Sequence, residues 1–328
     1  MDTKRLEAFI KVVDLGSMTS AAKVLNVAQP ALSQHIASLE ADFKSKLLHR
    51  SARGVKPTEA GQILYRYAKS IQRQIEEARR TILDNKPELT GNVTIGLAPL
   101  SSAALLATPL LLQVRERYPG IVLHIYDSSG IMLSEMMLKG SMDMAVLYGD
   151  RPVTGLDYKP LMREPFYLVA PRSLYGDQAP PEEVSAAEVA QFDLLLPYRE
   201  SFLRQAVERV CAEAGLRPRI VAEIHSQSTL SSAIAAGIGA AVLPMSIAKE
   251  LPNLEELCVR RINAQSASQQ MSLCISDNVA LSDAAFAVYK ILLEIIAKDW
   301  GPFEWTTSPN ASPTVVSTAA QDGSDDEP

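Results

Sequence analysis

The sequence predicts an α/β chain in parts: a basic helical head, one long amphipathic helix, and a larger α/β body of two lobes. Three observations carry this. Through residue 82 apolar residues recur at helical spacing, whereas from residue 93 short apolar strands alternate with helical stretches, the mark of an α/β domain with largely parallel sheets. Charge divides at the same place: residues 1–86 carry 15 Lys and Arg against 9 Asp and Glu, a balance of +6, and the remainder carries 17 against 29, a balance of −12. A length of 328 residues, 47% hydrophobic and 21% charged, suits about two domains, and the body is large for a single sheet.

Several classes are excluded. No run reaches the roughly 18 apolar residues of a membrane span. The best, 103–114 and 233–244, are broken by Pro109 and by Gly237 and Gly239. The N-terminal apolar stretch is cut by Lys11 and Asp14, a poor signal peptide, so a cytoplasmic protein with no membrane contact is expected. Cys211, Cys258 and Cys274 are odd in number and widely spaced, giving neither a disulfide framework nor a zinc site.

In the head, Leu6, Phe9, Ile10 and Val13 predict a helix over Thr3–Leu15, ended by Gly16. Ser17, or alternatively Thr19, caps a short second helix with Ala21, Ala22, Val24 and Leu25 inward and Asn26 closing it. Pro30 suits the first turn of a third helix, with Leu32, Ile36, Leu39 and Phe43 on one face. The opposite face, Pro30, Ala31, Ser33, Gln34 and Ala37, is small and uncharged up to Glu40. Such a face enters a major groove without clashing, and Gln29, Ser33 and Gln34 can meet base edges there. The pattern over about 18–37 is a helix-turn-helix, with Thr19 and Ala28 at its edges; the alternative is a three-helix bundle with a plain face. Residues 47–58 read as a hairpin turning at Arg53-Gly54, a small wing on which Arg50, Arg53 and Lys56 suit phosphate contact.

Thr58 caps the long helix, whose stripe runs Ala60, Leu64, Tyr67, Ile71, Ile75, Ala78 and Ile82. A single stripe on a long helix is a dimerisation seam, so Leu64, Tyr67, Ile71 and Ile75 are expected to face a second chain. The alternative is a helix packed on its own domain. A hinge follows over 85–92. Strands are expected at 93–97, 121–126, 144–148, 166–170, 194–196, 220–224, 240–243 and 271–275. Helices are expected at about 102–118 (with Pro109 badly placed in its middle), 131–139, 201–214, 229–236 and 282–299. Ser185 and Glu188 form a capping box. The tail, 306–328, is small, polar and acidic, and is expected to be disordered.

The stretches 16–25 and 29–36, with Phe9, Leu39-Glu40, Leu47-Leu48, Arg50, Arg53-Gly54, Pro57-Thr58 and Gly61, closely resemble the LysR-type transcriptional regulators in order and spacing. Lys44 stands where the family usually has Gly, and Met18 and Leu48 where Phe is more usual. Stretches 28–34, 53–61, 95–99 and 138–146 resemble the family's nitrogen assimilation control subgroup. The resemblance implies a winged helix-turn-helix DNA-binding domain (1–58), a linker helix and hinge (59–90) and a two-lobed regulatory domain like the periplasmic binding proteins (91–305). It implies double-stranded DNA, further copies of the chain (a homodimer or homotetramer) and RNA polymerase as partners, with no cofactor.

The family's effector cleft, between lobes, would here involve Pro99, Ser101, Ser102, Ser128, Tyr148, Ser201, Phe202, Ser226 and Thr229. Hydroxyls at helix starts suit a polar ligand, but they are also ordinary N-caps. The segments offer no cation, and the subgroup acts without a coinducer, so weak or no dependence on a small molecule is expected. Enzyme signatures fail: Gly237-Ile238-Gly239 lacks the third glycine of a dinucleotide loop, and neither Gly-x-Ser-x-Gly nor His-Glu-x-x-His occurs, so no catalytic or metal residue is expected. The competing reading is a bilobal small-molecule-binding protein or enzyme whose N-terminal bundle dimerises it.

Overall fold

The head is built from α1 (Thr3–Leu15), α2 (Met18–Val24) and α3 (Gln29–Asp42), then a hairpin of β1 (Leu48–Ser51) and β2 (Gly54–Pro57). The computed structural model describes residues 2–51, 54–84, 89–149, 153–175, 181–277 and 279–300; Arg53, hinge residues 85–88 and the 306–328 tail lie outside these. Ser17 caps α2, its hydroxyl accepting from the Ser20 N–H at 3.3 Å. Phe9, Val12, Leu32, Ile36 and Leu39 are wholly buried. Val24 and Phe43 are instead 56% and 44% exposed. Both stand at a helix's last turn, beyond the point where its apolar face leaves the core.

How α3 ends without glycine is plain. Lys44 takes a left-handed backbone, φ 49°. The N–H of Ser45 donates to Glu40 O at 3.1 Å and that of Lys44 to Ala41 O at 3.2 Å, a Schellman closure. The wing packs on the α1–α2 turn through the Val55 N–H, which donates to Gly16 O at 2.8 Å. A Cβ on Gly54, whose φ is 120°, would lie 2.7 Å from that same oxygen.

The long helix is α4 (Glu59–Asp84). Thr58 anchors its start, accepting from the Gly61 N–H at 3.0 Å and donating to Lys46 O at 2.6 Å.

The body follows in the order β3 (Gly91–Leu97), α5 (Ala107–Arg117), β4 (Ile121–Asp127), α6 (Gly130–Leu138), β5 (Met144–Tyr148), β6 (Leu156–Pro171), β7 (Glu183–Ser185), α7 (Ala186–Val189), β8 (Asp193–Leu196), α8 (Phe202–Glu213), β9 (Arg219–Glu223), α9 (Gln227–Ala235), β10 (Ala241–Pro244), α10 (Met245–Ala248), β11 (Leu257–Asn263), β12 (Ser268–Ser276) and α11 (Asp283–Trp300). A 3₁₀ turn over Ser102–Leu106 precedes α5. That resolves Pro109: it falls in the first turn of α5, where a missing N–H costs nothing. The Ser185–Glu188 capping box forms at α7.

The first lobe holds β4-β3-β5-β12 and the start of β6; the second holds the end of β6 between β10 and β11, with β7 outside β11. The β8–β9 pair joins β10 through a Leu194–Ala240 bridge. The sheets are more mixed than the sequence pattern implies. β3 runs parallel to β4 and β5, but β6 is antiparallel to β12, β10 and β11. The chain crosses between lobes on β6 and returns on β12, so the two crossing strands must oppose one another. Their register slips between Met271 and Ser272.

Candidate functional site

On α3, the buried Leu32, Ile36 and Leu39 define one side, so Pro30, Gln34 and Ala37 point to the other. Ala28, Gln29, Pro30, Ala31, Gln34 and Ala37 are all exposed, as is Thr19 at the start of α2. Ser33 is half-buried, and its hydroxyl accepts from Arg50 Nη1 at 3.1 Å. It thus ties a wing cation to the helix. Arg50 and Lys56 are exposed on the hairpin, paired with Val55 and His49 respectively.

Glu40 sets the wing against α3. Its Oε1 accepts from the Leu47 N–H at 3.0 Å and the Leu48 N–H at 3.4 Å, and Oε2 accepts from Lys46 Nζ at 2.8 Å. Burial opposes ionisation here, but the Lys46 ammonium and the two N–H groups outweigh it and hold the carboxyl below the usual range.

Of the four residues expected at a seam on α4, Leu64 is placed otherwise. Leu64 is 7% exposed and Ala68 fully buried, both within the head's own core, and Ile71 packs partly against that core. Asp14 on α1 reinforces the contact, accepting from the Tyr65 hydroxyl and from Lys69 Nζ at 3.0 Å. Leu64 therefore has no surface left for a second chain. Tyr67 does, at 45% exposure, as does Ile63 at 44%; Ile75 is half-buried.

Between the lobes lies a cavity of about 510 Å³, lined by Pro99, Leu100, Asp127 to Gly130 and Tyr148 from one lobe and by Tyr198, Ser201, Phe202 and His225 to Gln227 from the other. Of the nine residues expected there, Pro99, Ser128, Tyr148, Ser201, Phe202 and Ser226 line it. Ser101, Ser102 and Thr229 do not. Ser101 caps the 3₁₀ turn, accepting from the Ala103 N–H and donating to Ala98 O at 2.7 Å. Ser102 turns inward to Glu164. Thr229 is exposed on α9, with its N–H donating to Ser226 Oγ at 3.4 Å. Ser226 and Ser129 are N-caps, but Ser201 makes no capping bond. No Lys or Arg lines this cavity among the described residues.

Sequence reasoning missed three features. The Tyr198–His225 ring pair, 4.8 Å between centroids, lines the cleft from loops with no motif. Glu164 lies behind Tyr148. Beyond the wall of Gly130, Tyr148 and Phe202 a second cavity of about 740 Å³ holds Arg163 and Arg209.

Set beside known proteins, residues 3–62 match the "Bacterial regulatory helix-turn-helix protein, lysR family" model and residues 86–296 the "LysR substrate binding domain" model. The chain belongs to the LysR family of DNA-binding transcriptional regulators. It is 42% identical over 298 residues to the nitrogen assimilation regulatory protein nac of Klebsiella aerogenes, covering 91% of this chain and 96% of that protein. It is 39% identical over 297 residues to nac of Escherichia coli (strain K12), covering 90% and 96%. The fold matches the crystal structure of ArgP from Mycobacterium tuberculosis with a TM-score of 0.71 at 21% identity, covering 90% of this chain and 98% of that one.

Proposed function

We propose that this LysR-type regulator controls nitrogen assimilation genes, reading its operators with the exposed face of α3. The observation that carries the readout is the exposed, uncharged surface of Gln29, Pro30, Ala31, Gln34 and Ala37 beside the wing cations Arg50 and Lys56. Gln29 and Gln34 take base edges; Arg50, Arg53 and Lys56 take phosphates. Two relatives named for nitrogen assimilation, each similar across almost the whole chain, support the target class. The domains are those of the sequence pattern: head 1–58, linker helix and hinge 59–90, regulatory body 91–305 and acidic tail 306–328.

The regulator works as a homodimer or homotetramer in the cytoplasm and recruits RNA polymerase, without catalysis. Ile63 and Tyr67, with Ile75, form the seam on the open side of α4. The body needs no coinducer: among the described residues the 510 Å³ cavity offers hydroxyls but no Lys or Arg to repay the desolvation of an anionic ligand, and Arg163 and Arg209 of the second cavity already donate to Ser268 and Gln269. Among the described residues no helix is long and apolar enough to cross a membrane.

The test is a gel shift with upstream DNA of the source genome. Gln34→Ala should relax sequence preference and lose about 1–3 kcal/mol at the specific site only. Equal weakening on all DNA would remove α3 as the reader.

A further inference from the structure

Behind the Tyr148 wall of the cleft a set of hydrogen-bond donors converges on one of the chain's own carboxylates. Glu164, on the crossing strand β6, is only 2% exposed. Its Oε1 accepts from the Ser102 N–H at 3.2 Å and from the Ser102 hydroxyl, and its Oε2 accepts from the Tyr148 hydroxyl. The Ser246 hydroxyl stands 2.8 Å from Ser102 Oγ and 3.4 Å from Oε1. Ser102 and Tyr148 belong to the first lobe and Ser246, on α10, to the second. No Lys, Arg or His is bonded to this carboxylate among the described residues. A carboxylate this deep is ordinarily met by a cation. Here neutral donors from both lobes surround it, the arrangement with which a protein holds a small carboxylate ligand. Burial pushes the Glu164 carboxyl above its ordinary range, with the bonds from Ser102, Tyr148 and Ser246 working against that. Of this set Tyr148 alone lines the open cavity, and Ser102, Ser246 and Glu164 lie behind it.

We propose that Ser102, Tyr148 and Ser246 form a carboxylate-binding subsite behind the wall of the inter-lobe cleft, and that Glu164 is its resident ligand, holding both lobes as a bound molecule would. An external carboxylate then finds these donors already engaged. The proposal deepens, and rests on, the reading of the body as independent of a coinducer. Its test measures ligand binding itself, so failure of DNA control and failure of this subsite are distinguishable.

Glu164→Ala removes a CH₂–COO⁻ fragment, the size of acetate. The full chain should be melted in sodium acetate, sodium chloride of equal ionic strength, and acetamide. The variant should melt several degrees below the parent in chloride. Acetate should restore it in a saturable way, and acetamide should not. The parent should be unmoved by acetate, and adding Tyr148→Phe to the variant should weaken the rescue. A folded Glu164→Ala chain indifferent to acetate, or a parent that responds equally, overturns the proposal. Should the variant not accumulate folded, it is refolded from urea in acetate and in chloride: recovery confined to acetate supports the subsite, and equal failure in both overturns it.

Discussion

Replacing Glu40 with Ala should loosen the wing from α3. The substitution strips the acceptor from two backbone N–H groups at the entry to β1. The Leu47 N–H bond, at 3.0 Å, is well formed, and that from Leu48, at 3.4 Å, is long. A hydrogen bond to a charged group is worth about 1.5–3 kcal/mol, and the long bond adds little. The Lys46 pair adds a smaller, solvent-screened part, because the Lys46 side chain is 82% exposed. The expected cost is about 2 kcal/mol, which for a domain of this size lowers its melting transition by roughly 10 °C. Folding holds Glu40 ionised to lower pH than its ordinary value of 4.5, so the contact stabilises fully above that pH and fades as pH falls below it. Calorimetry of the full chain at pH 7 and pH 4 therefore gives a larger difference between parent and variant at pH 7. Operator and non-specific DNA binding should both weaken, since the hairpin carries Arg50 and Lys56. An unchanged head transition, or the same difference at both pH values, would refute the reasoning.

Arg50→Ala should weaken specific and non-specific DNA alike and reduce the slope of log affinity against log salt by about one unit in a titration. Lys44→Gly should raise the melting temperature of the head: it relieves a left-handed strain of about 1–2 kcal/mol, partly offset by about 0.4–1 kcal/mol of added unfolded-chain entropy. Leu64→Ala should cost the head about 2–5 kcal/mol in urea unfolding with no change in subunit mass. Tyr67→Asp should do the reverse, leaving the head folded while sedimentation shows dissociation; a Tyr67→Asp chain of unchanged mass would place the subunit contact off α4.

Much of the head was legible because its determinants are local. Helix caps, Pro30 and the i, i+4 spacing of Leu32 and Ile36 act within a turn or two, and the pairing of β1 with β2 needs only its own sequence. What covers a helix face is not local. The stripe on α4 has the same period whether Leu64 meets α1 or another chain, and only the fold decides. In the body, β6 was read as five residues because Pro160, Arg163, Glu164 and Pro165 interrupt its apolar pattern; in fact it runs 16 residues through the lobe junction. β11 went unseen because Arg260 and Arg261 break its alternation, although Arg260 is buried and donates to Pro181 O at 2.8 Å. Glu164 was the least visible residue of all. Its partners Tyr148, Ser102 and Ser246 stand 16, 62 and 82 positions away, and an acid between Arg163 and Pro165 reads as solvated surface.

The attachment of α4 constrains how the body can act on DNA. Leu64 and Ala68 are buried in the head, Asp14 accepts from Tyr65 and Lys69, and Thr58 ties the helix start to Lys46. A Cβ on Gly61 would stand 2.0 Å from Leu47 O, a backbone atom that cannot rotate away, so helix and wing meet at their closest approach. The head and the first half of α4 are thus one rigid piece. If two such pieces join along Ile63 and Tyr67, as proposed, the spacing of their α3 helices is fixed, and with it the separation of the half-sites they would read. The body also touches this piece: a Cβ on Gly140 would lie 3.6 Å from Arg66 O and 3.7 Å from Lys69 Cβ, so movement of the body can reach the head at residues 66–69 as well as along the rest of α4. A body locked by Glu164 would transmit no ligand-driven movement there, leaving the amount of protein to set occupancy of the operator by mass action.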